Sequence, residues 1–228
     1  MTPLHSESGS GHLNGNGNGN GHRLKFRCVY ADPPWRFLNR TGKMAPEHRR
    51  LHRYRTMTVD EICALRVREV AADPSHLYLW VPNALLADGL AVMKAWGFTY
   101  KCNLVWYKIR KDGGPDGRGV GFYFRNVTEL LLFGVRGHMR TLKPGRRMVN
   151  IVSTRKREHS RKPDEFYRVI EKCSPGPRLE LFARHHRDGW EQWGDEIHLG
   201  RYSPRKLLLE RAGETVRIDS RVTSLILS

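Results

Sequence analysis

The stretch ADPPWRF at residues 31–37 directly follows the apolar run LKFRCVY at residues 24–30. Neither proline has an N–H to give to a sheet, and each ring fixes the backbone φ near about −65°, so a strand has to end here. A stiff segment then presents the Asp32 carboxylate, two proline carbonyls and the Trp35 ring in a nearly fixed arrangement. Two interpretations are open: a rigid turn with Asp32 as a cap and Trp35 in the core, or a functional site.

The composition favours a nucleic-acid partner. The 228 residues include 40 Lys and Arg against 23 Asp and Glu, with a formal net charge of +17. A length of this order suits one domain, and such an excess of positive charge makes nucleic acid the first partner to consider. No segment approaches the roughly 20 apolar residues of a membrane span, and no signal peptide is recognisable. We therefore expect a cytoplasmic protein that does not bind a membrane.

The four cysteines are dispersed and form no C-x-x-C pair, and the histidines form no H-E-x-x-H motif. We therefore expect no metal ion and no disulfide framework. In a reducing compartment the cysteines are interpreted as buried free thiols. They are Cys28, Cys63, Cys102 and Cys173.

Apolar runs alternate with helical patterns from residue 24 onward, which predicts an α/β domain with a mainly parallel sheet covered by helices. Residues 1–23 contain NGNGNGNG and have almost nothing to bury, so we expect a disordered tail. The domain is assigned to residues 24–198 and a C-terminal appendage to residues 199–228.

Several elements can be placed within this domain. The predicted strands cover residues 24–31, 76–81, 98–109, 127–135 and 178–184. Thr58 and Glu61 have the spacing of a capping box, and further helices are predicted after Asn83 and after Pro163. The tryptophans in apolar periodic stretches are expected in the core. They are Trp80, Trp96 and Trp106.

Three long loops are rich in basic residues, at 36–55, 110–121 and 136–147. Loops of such length are usually functional or mobile. We expect all three to lie near the DPPW end of the sheet, where they would contact nucleic acid.

Two strands end in unusual polar sequences, DPPW at 32–35 and ELFARHH at 180–186. In open α/β sheets, ligands bind outside the carboxyl ends of the strands. Lys162 lies in a loop that enters a helix, and a helix N-terminus favours an anionic group such as a carboxylate. Together these features describe a nucleotide-modifying enzyme with a carboxylate-bearing cofactor.

Eight motifs in the same order resemble the DPPW-type adenine N6-methyltransferases, the MT-A70 family, over about residues 25 to 197. This family includes the catalytic subunit of the eukaryotic messenger-RNA adenosine methyltransferase and many bacterial and phage proteins. The motifs are DPPW (32–35), YRTMT (54–58), LYLWV (77–81), WGF (96–98), ELLLFGVRG (129–137), HSRKPDEFY (159–167), SPGPRLELFAR (174–184) and GWEQWGDE (189–196).

The resemblance implies a class I, Rossmann-like methyltransferase fold that uses S-adenosylmethionine. It also implies a permuted order, with the catalytic DPPW strand first and the cofactor strand last. The implied activity is methylation of adenine N6 in nucleic acid, DNA by preference. RNA methylation and a catalytically silent binding module stay open, whereas a basic architectural protein would not explain DPPW together with HSRKPDEFY. The target sequence, its strandedness and the formation of a homodimer also stay open.

The family's residues can be carried over position by position. The family's catalytic motif matches Asp32, Pro33, Pro34 and Trp35. The cofactor positions match Asp32, Lys162, Glu180, Arg184, His186, Asp195 and Glu196. Lys162 corresponds to the lysine that holds the methionine carboxylate of the cofactor. Where Asp195 stands, relatives commonly carry Asn, so this chain lacks two hydrogen-bond donors there.

The chemistry explains the DPPW sequence. Adenine N6 is a poor nucleophile because its lone pair is delocalised into the ring. Acceptors such as the Asp32 carboxylate and the Pro33 carbonyl can bind its N–H groups and aim the lone pair at the sulfonium methyl. Trp35 is expected to supply a stacking face for the extruded base. The plainer alternatives are a surface lysine at Lys162, a salt-bridge partner at Glu180 and an ordinary surface histidine at His186.

Overall fold

The computed structural model describes residues 25–36, 56–117, 123–157 and 161–194. These residues form a sheet of seven strands with helices on both faces. The strands are β1 (Phe26–Ala31), β2 (Ala71–Val81), β3 (Thr99–Lys108), β4 (Thr128–Arg136), β5 (Ile151–Thr154), β6 (Arg178–Leu181) and β7 (Glu191–Trp193). The α-helices are α1 (Val59–Cys63), α2 (Val67–Val70), α3 (Leu86–Ala95) and α4 (Asp164–Cys173), and 3₁₀ helices cover Asn83–Leu85 and Lys143–Arg147.

The strand order is β5-β3-β4-β2-β1-β6-β7. β1 pairs in parallel with both β2 and β6, and the pairs β3–β5 and β6–β7 are also parallel. The DPPW strand is therefore first in the chain and lies directly beside β6, which comes near the end. This arrangement confirms the predicted α/β, Rossmann-like class with a permuted order. It brings the two unusual strand ends together, because Ala31 at the end of β1 pairs with Leu181 at the end of β6.

β4 is the exception, because it runs antiparallel to both of its neighbours. Leu130 pairs with Val81 near the DPPW edge, whereas Arg136 pairs with Ser75, near the start of β2. Six residues of strand span about 20 Å. Residues 137–147 therefore leave β4 at the opposite edge of the sheet.

The prediction that all three basic loops lie near DPPW is wrong for residues 136–147. The cause is the direction of β4, which the sequence pattern does not reveal. Residues 110–117 do leave β3 at the DPPW edge, since Lys108 bonds to Val127 just before β4 begins. Residues 37–55 lie outside the described part of the chain, as do the predicted tail (1–23) and appendage (199–228).

The apolar side chains of the sheet form one core on each face. Alternation along β1 sends Val29 to the core under α1, α2 and α3, and Tyr30 to the core under α4. The three tryptophans expected in the core are at most 3% exposed, which confirms that prediction.

The local predictions hold in most places. Thr58 and Glu61 form the predicted capping box, with the Thr58 N–H donating to Glu61 at 2.7 Å. β2 begins five residues earlier than predicted. β6 ends three residues earlier, because Phe182 has a φ of 63° and turns the chain out of the sheet. Of the four free thiols, Cys28 and Cys173 are buried, but Cys63 is half-buried and Cys102 is exposed, because the first half of β3 faces solvent. No helix among the described residues is long and apolar enough to cross a membrane.

Candidate functional site

A pocket opens where the carboxyl ends of β1 and β6 meet the start of α4. Its lining brings together most of the charged site residues that the sequence predicts, and they are Asp32, Lys162, Glu180, Arg184 and His186. Asp32 follows the last residue of β1, and Glu180 lies within β6, whereas Lys162 stands two residues before α4. Asp195 and Glu196 lie outside the described residues.

The DPPW segment is a tight turn pinned to a neighbouring strand-like segment. The Trp35 N–H donates to the Pro33 carbonyl at 2.8 Å, and the Met57 N–H donates to the Pro34 carbonyl at 2.8 Å. The Arg36 N–H returns a bond to the Met57 carbonyl at 3.0 Å. A carbonyl oxygen accepts two hydrogen bonds, so the Pro33 carbonyl retains one lone pair for a second donor.

The Trp35 ring is part of the protein core. Only 6% of the residue is exposed, and its indole N–H donates to the Trp80 carbonyl at 2.9 Å. Little of the ring is therefore exposed to a base in this structure, as the rigid-turn interpretation expects, and the stacking role of Trp35 stays a prediction.

Four alternating charges cross the edge of the sheet beside this turn. The Lys162 ammonium donates to both Asp32 carboxylate oxygens, at 2.9 and 2.8 Å, and lies 3.4 Å from the Glu129 carboxylate. Glu129 in turn accepts from Lys108 at 2.5 Å. The Lys162 ammonium also lies 5.1 Å from the centre of the Trp80 ring. We call the side chains of Lys108, Glu129, Lys162 and Asp32 the charge ladder.

The inner members of the charge ladder stabilise each other's charge. Burial raises the pKa of Glu129, but Lys162 and Lys108 outweigh burial and lower it below its usual value. Burial likewise lowers the pKa of Lys162, but Asp32 and Glu129 outweigh burial and raise it. Both groups are therefore ionised at neutral pH.

Sequence reasoning missed Lys108 and Glu129. The available signal was weak: each is a charged residue at the end of an apolar strand, Lys108 closing β3 and Glu129 near the start of β4. Only the antiparallel pairing of these strands brings the two side chains together.

Glu180 is 7% exposed, and two side chains hold its carboxylate in place. The Tyr167 hydroxyl donates to one oxygen at 2.6 Å, and the Gln192 amide donates to the other at 2.7 Å. Burial raises the pKa of Glu180, and these two hydrogen bonds lower it without cancelling that effect. Tyr167 and Gln192 were also missed, because neither residue type signals a site.

The turn after β6 forms the rim of the pocket. Arg187 donates to Asp164 at 2.7 Å and lies 3.8 Å from the centre of the Tyr167 ring, which ties the turn to the start of α4. His186 is exposed and lies 3.2 Å from the Asp188 carboxylate. Gly194 follows β7 and packs against this turn, and a Cβ there would come within 2.1 Å of the Ala183 carbonyl, so only glycine fits.

Comparison with known proteins identifies the family. The MT-A70 family model matches residues 26–196. This chain belongs to the MT-A70 family. Methyltransferases of this family use S-adenosylmethionine as the methyl donor, so the chain is an S-adenosylmethionine-dependent methyltransferase.

Curated relatives fall into two groups by length. The chain is 28% identical over 194 residues to the type II methyltransferase M.MunI of Mycoplasma sp, covering 77% of this chain and 79% of that protein. It is 32% identical over 182 residues to the human N(6)-adenosine-methyltransferase catalytic subunit METTL3, covering 77% of this chain and 29% of the relative. The chain is also 32% identical over 177 residues to the Drosophila melanogaster N(6)-adenosine-methyltransferase MT-A70-like protein, covering 76% of this chain and 27% of that protein. The chain thus spans little more than a quarter of these two longer relatives.

The side chains of the pocket suit this cofactor. S-adenosylmethionine carries a carboxylate, an ammonium group, a sulfonium and a ribose diol. Lys162 and Arg184 provide cations, while Asp32 and Glu180 provide carboxylates on the same pocket wall. Among residues 25–36, 56–117, 123–157 and 161–194, no group of three His, Cys, Asp or Glu side chains could hold a metal ion.

Proposed function

We propose that this protein methylates the N6 amine of adenine in nucleic acid, with DNA as the preferred substrate. The observation that carries this proposal is the Asp32 carboxylate, fixed by Lys162 at the end of β1 and open to a pocket that also contains Glu180. When bound, S-adenosylmethionine supplies an electrophilic methyl group on a positively charged sulfur.

Asp32 is the group that we assign to the target amine. An ionised carboxylate has about four lone-pair positions, of which the two bonds from Lys162 take two. The others can accept an N–H of adenine N6, and the spare lone pair of the Pro33 carbonyl can accept the second. Two fixed acceptors orient the nitrogen lone pair before the reaction, which lowers the entropic part of the barrier.

Lys162 has a different first role from the one that the resemblance implies. An ammonium has three donors, and in this structure two point to Asp32 while Glu129 lies within 3.4 Å. We therefore propose that Lys162 holds Asp32 in place, and that a contact to the methionine carboxylate is secondary. The further cofactor contacts that we propose are Glu180, Arg184, His186, Asp195 and Glu196.

The reaction leaves an extra proton on the methylated nitrogen. Asp32 is the nearest base to that proton, because it accepts an N–H bond from the same atom. Its side chain is 21% exposed, so the proton can pass on to water.

The preference for DNA rests on the relatives. M.MunI is named as a type II methyltransferase, and the match covers most of both chains, whereas the adenosine methyltransferases are matched over little more than a quarter of their length. RNA adenosine methylation is the second candidate, because the MT-A70-like relatives are named as adenosine methyltransferases.

A direct assay tests the proposal. Purified protein is incubated with S-adenosylmethionine and with DNA or RNA oligonucleotides of matched sequence, and the nucleosides are analysed by mass spectrometry. We expect N6-methyladenine in DNA, and a rate of formation about 10²–10³-fold lower with Asp32→Ala. Faster transfer to RNA would assign the second candidate. If neither DNA nor RNA is methylated, the remaining interpretation is a catalytically silent binding module.

A further inference from the structure

The end of the sheet opposite the pocket, where β2 begins and β4 ends, carries a second basic surface. Residues 137–147, here called the basic arm, contain no acidic residue. The four Lys and Arg side chains of the arm are exposed, and they are Arg140, Lys143, Arg146 and Arg147. No ion pair joins any of the four to an acid in the part of the chain that the structure describes.

The basic arm is docked firmly against the end of α4. The Leu142 N–H donates to the Cys173 carbonyl at 2.9 Å, and the Arg146 guanidinium donates to the Thr141 carbonyl at 3.0 Å. Gly145 is buried so closely against Cys173 that an added Cβ would meet its backbone at 2.8 Å. The backbone that carries the cations of the arm therefore has a fixed place relative to α4.

The outer face of α4 continues this basic surface. Arg168 and Lys172 are exposed and stand four residues apart, so they share one face of the helix. The acids of α4 are engaged elsewhere. Asp164 pairs with Arg161 and Arg187, Glu165 pairs with Arg157, and Glu171 accepts from the Trp190 indole.

α4 begins at the pocket and ends at the basic arm. Its ten residues span about 15 Å, the length over which one strand of duplex DNA carries about four phosphates. We propose that Arg168 and Lys172, together with the cations of the arm, form a basic track. The basic track binds the phosphate backbone of nucleic acid that flanks the target adenine. This inference rests on the proposed function, because that function places the target adenine in the pocket at the start of α4.

Nucleic acid fits this surface better than an anionic membrane does. The cations follow the axis of α4 and continue along the arm, as a linear polyanion requires. A membrane surface would need an apolar face to insert beside them. The outer face of α4 between Arg168 and Lys172 offers no such face, because Val169 and Ile170 are buried. The arm does expose Leu142, and the exposed Met148 and Val149 follow it, so vesicle binding is measured beside nucleic-acid binding.

Three double variants test the track, and each of them loses two positive charges, so that their net charges are equal. Arg168→Gln with Lys172→Gln removes the helix part, and Lys143→Gln with Arg147→Gln removes the arm part. The matched control is Arg68→Gln with Lys94→Gln, which removes two exposed cations from α2 and α3, on the opposite face of the sheet from α4. Affinity for a labelled mixed-sequence duplex of about 30 base pairs, and for RNA of the same sequence, is measured by fluorescence anisotropy from about 50 to 200 mM salt.

Each track variant should lower the slope of log affinity against log salt by about 1.8 on duplex DNA, since each lost phosphate contact removes about 0.9. The control should keep the wild-type slope. Equal slopes in all four proteins would overturn the track, as would equal losses in the control. Loss of binding to phosphatidylserine vesicles without loss of nucleic-acid binding would overturn it in favour of a membrane.

The outcome is separable from that of the proposed function. If the wild-type protein methylates neither DNA nor RNA, the methyltransferase proposal fails whatever the salt slopes are. If it methylates DNA or RNA and the slopes are all equal, the track alone fails.

Discussion

The basic residues at the two ends of α4 are used in opposite ways. At the pocket end they are paired: Lys162 with Asp32, Lys108 with Glu129, and Lys156 with Asp116 at 2.8 Å. At the far end, Lys143 and Arg147 are exposed and have no acidic partner among the described residues. The net charge of +17 therefore gives no indication of how the pocket works.

The difference follows from solvent exposure. The Lys162 side chain is 14% exposed, and a charge withdrawn from water is stable only with partners of opposite sign and good hydrogen bonds. Such partners fix a side chain in one position, which suits a group that must orient a reactant. Exposed cations keep their hydration and remain available to phosphates, and their attraction acts over about 10 Å at moderate salt.

The largest effect is expected at Asp32. Asp32→Ala should lower the rate of methyl transfer by about 10²–10³-fold, the usual loss for one preorganised polar contact to the reacting group. Cofactor affinity, measured by calorimetry, should change only a few-fold. The control is Asp112→Ala, because Asp112 is an exposed acid at the same edge and pairs with Arg110. Full activity in the Asp32 variant would remove the proposed mechanism.

Lys162→Met should come next, with a loss in kcat of roughly 10–100-fold, because Asp32 and Glu129 would face each other without the cation between them. A larger loss in cofactor affinity than in kcat would instead assign Lys162 chiefly to the methionine carboxylate. Lys156→Met is the matched control. Its ion pair lies at the same edge, but its side chain is 41% exposed, so activity should stay within about twofold.

Glu129→Gln should destabilise the protein by about 1–2 kcal/mol at pH 7, because a half-buried carboxylate between two lysines is lost. The folded state lowers the pKa of Glu129 below its ordinary value of 4.5, so its stabilisation is present above that pH and is lost as the pH falls through the lowered value. The difference in free energy of unfolding between the two proteins should therefore narrow below pH 4.5.

Urea unfolding between pH 3.5 and 7 measures this difference in the free energy of unfolding. Glu69→Gln serves as the control, since Glu69 forms an exposed i,i+3 pair with Arg66 and should matter by less than about 0.5 kcal/mol. If the free energies of unfolding of the wild type and of Glu129→Gln differ by the same amount at every pH, ionisation of Glu129 does not stabilise the fold.

The smallest effect is expected at the basic arm. Lys143→Gln with Arg147→Gln should change the free energy of unfolding by less than about 0.5 kcal/mol, because exposed side chains without partners contribute little to stability. Urea unfolding at pH 7 again provides the measurement. A loss above about 1 kcal/mol would mean that these cations do hold the fold, and the contrast with Lys162 would disappear.

Patterns in the amino-acid sequence allowed much of this structure to be predicted. Two prolines without N–H groups ended β1 at Ala31, and the Thr58–Glu61 spacing placed the first turn of α1. Apolar runs gave the other strands, and the order of motifs gave the family and the residues that gather in the pocket. The proline, capping and apolar-run signals depend on bonds and contacts between residues that are close in the chain.

Pairings between distant segments decided the rest. The antiparallel direction of β4 moved residues 137–147 away from the pocket and placed Glu129 between Lys108 and Lys162. Burial left little of Trp35 exposed to a base. A strand has the same apolar alternation in either direction, and an aromatic ring can face either a core or a ligand. The sequence by itself therefore determined the elements and the chemistry, and the tertiary structure decided which charges meet and which remain open to a partner.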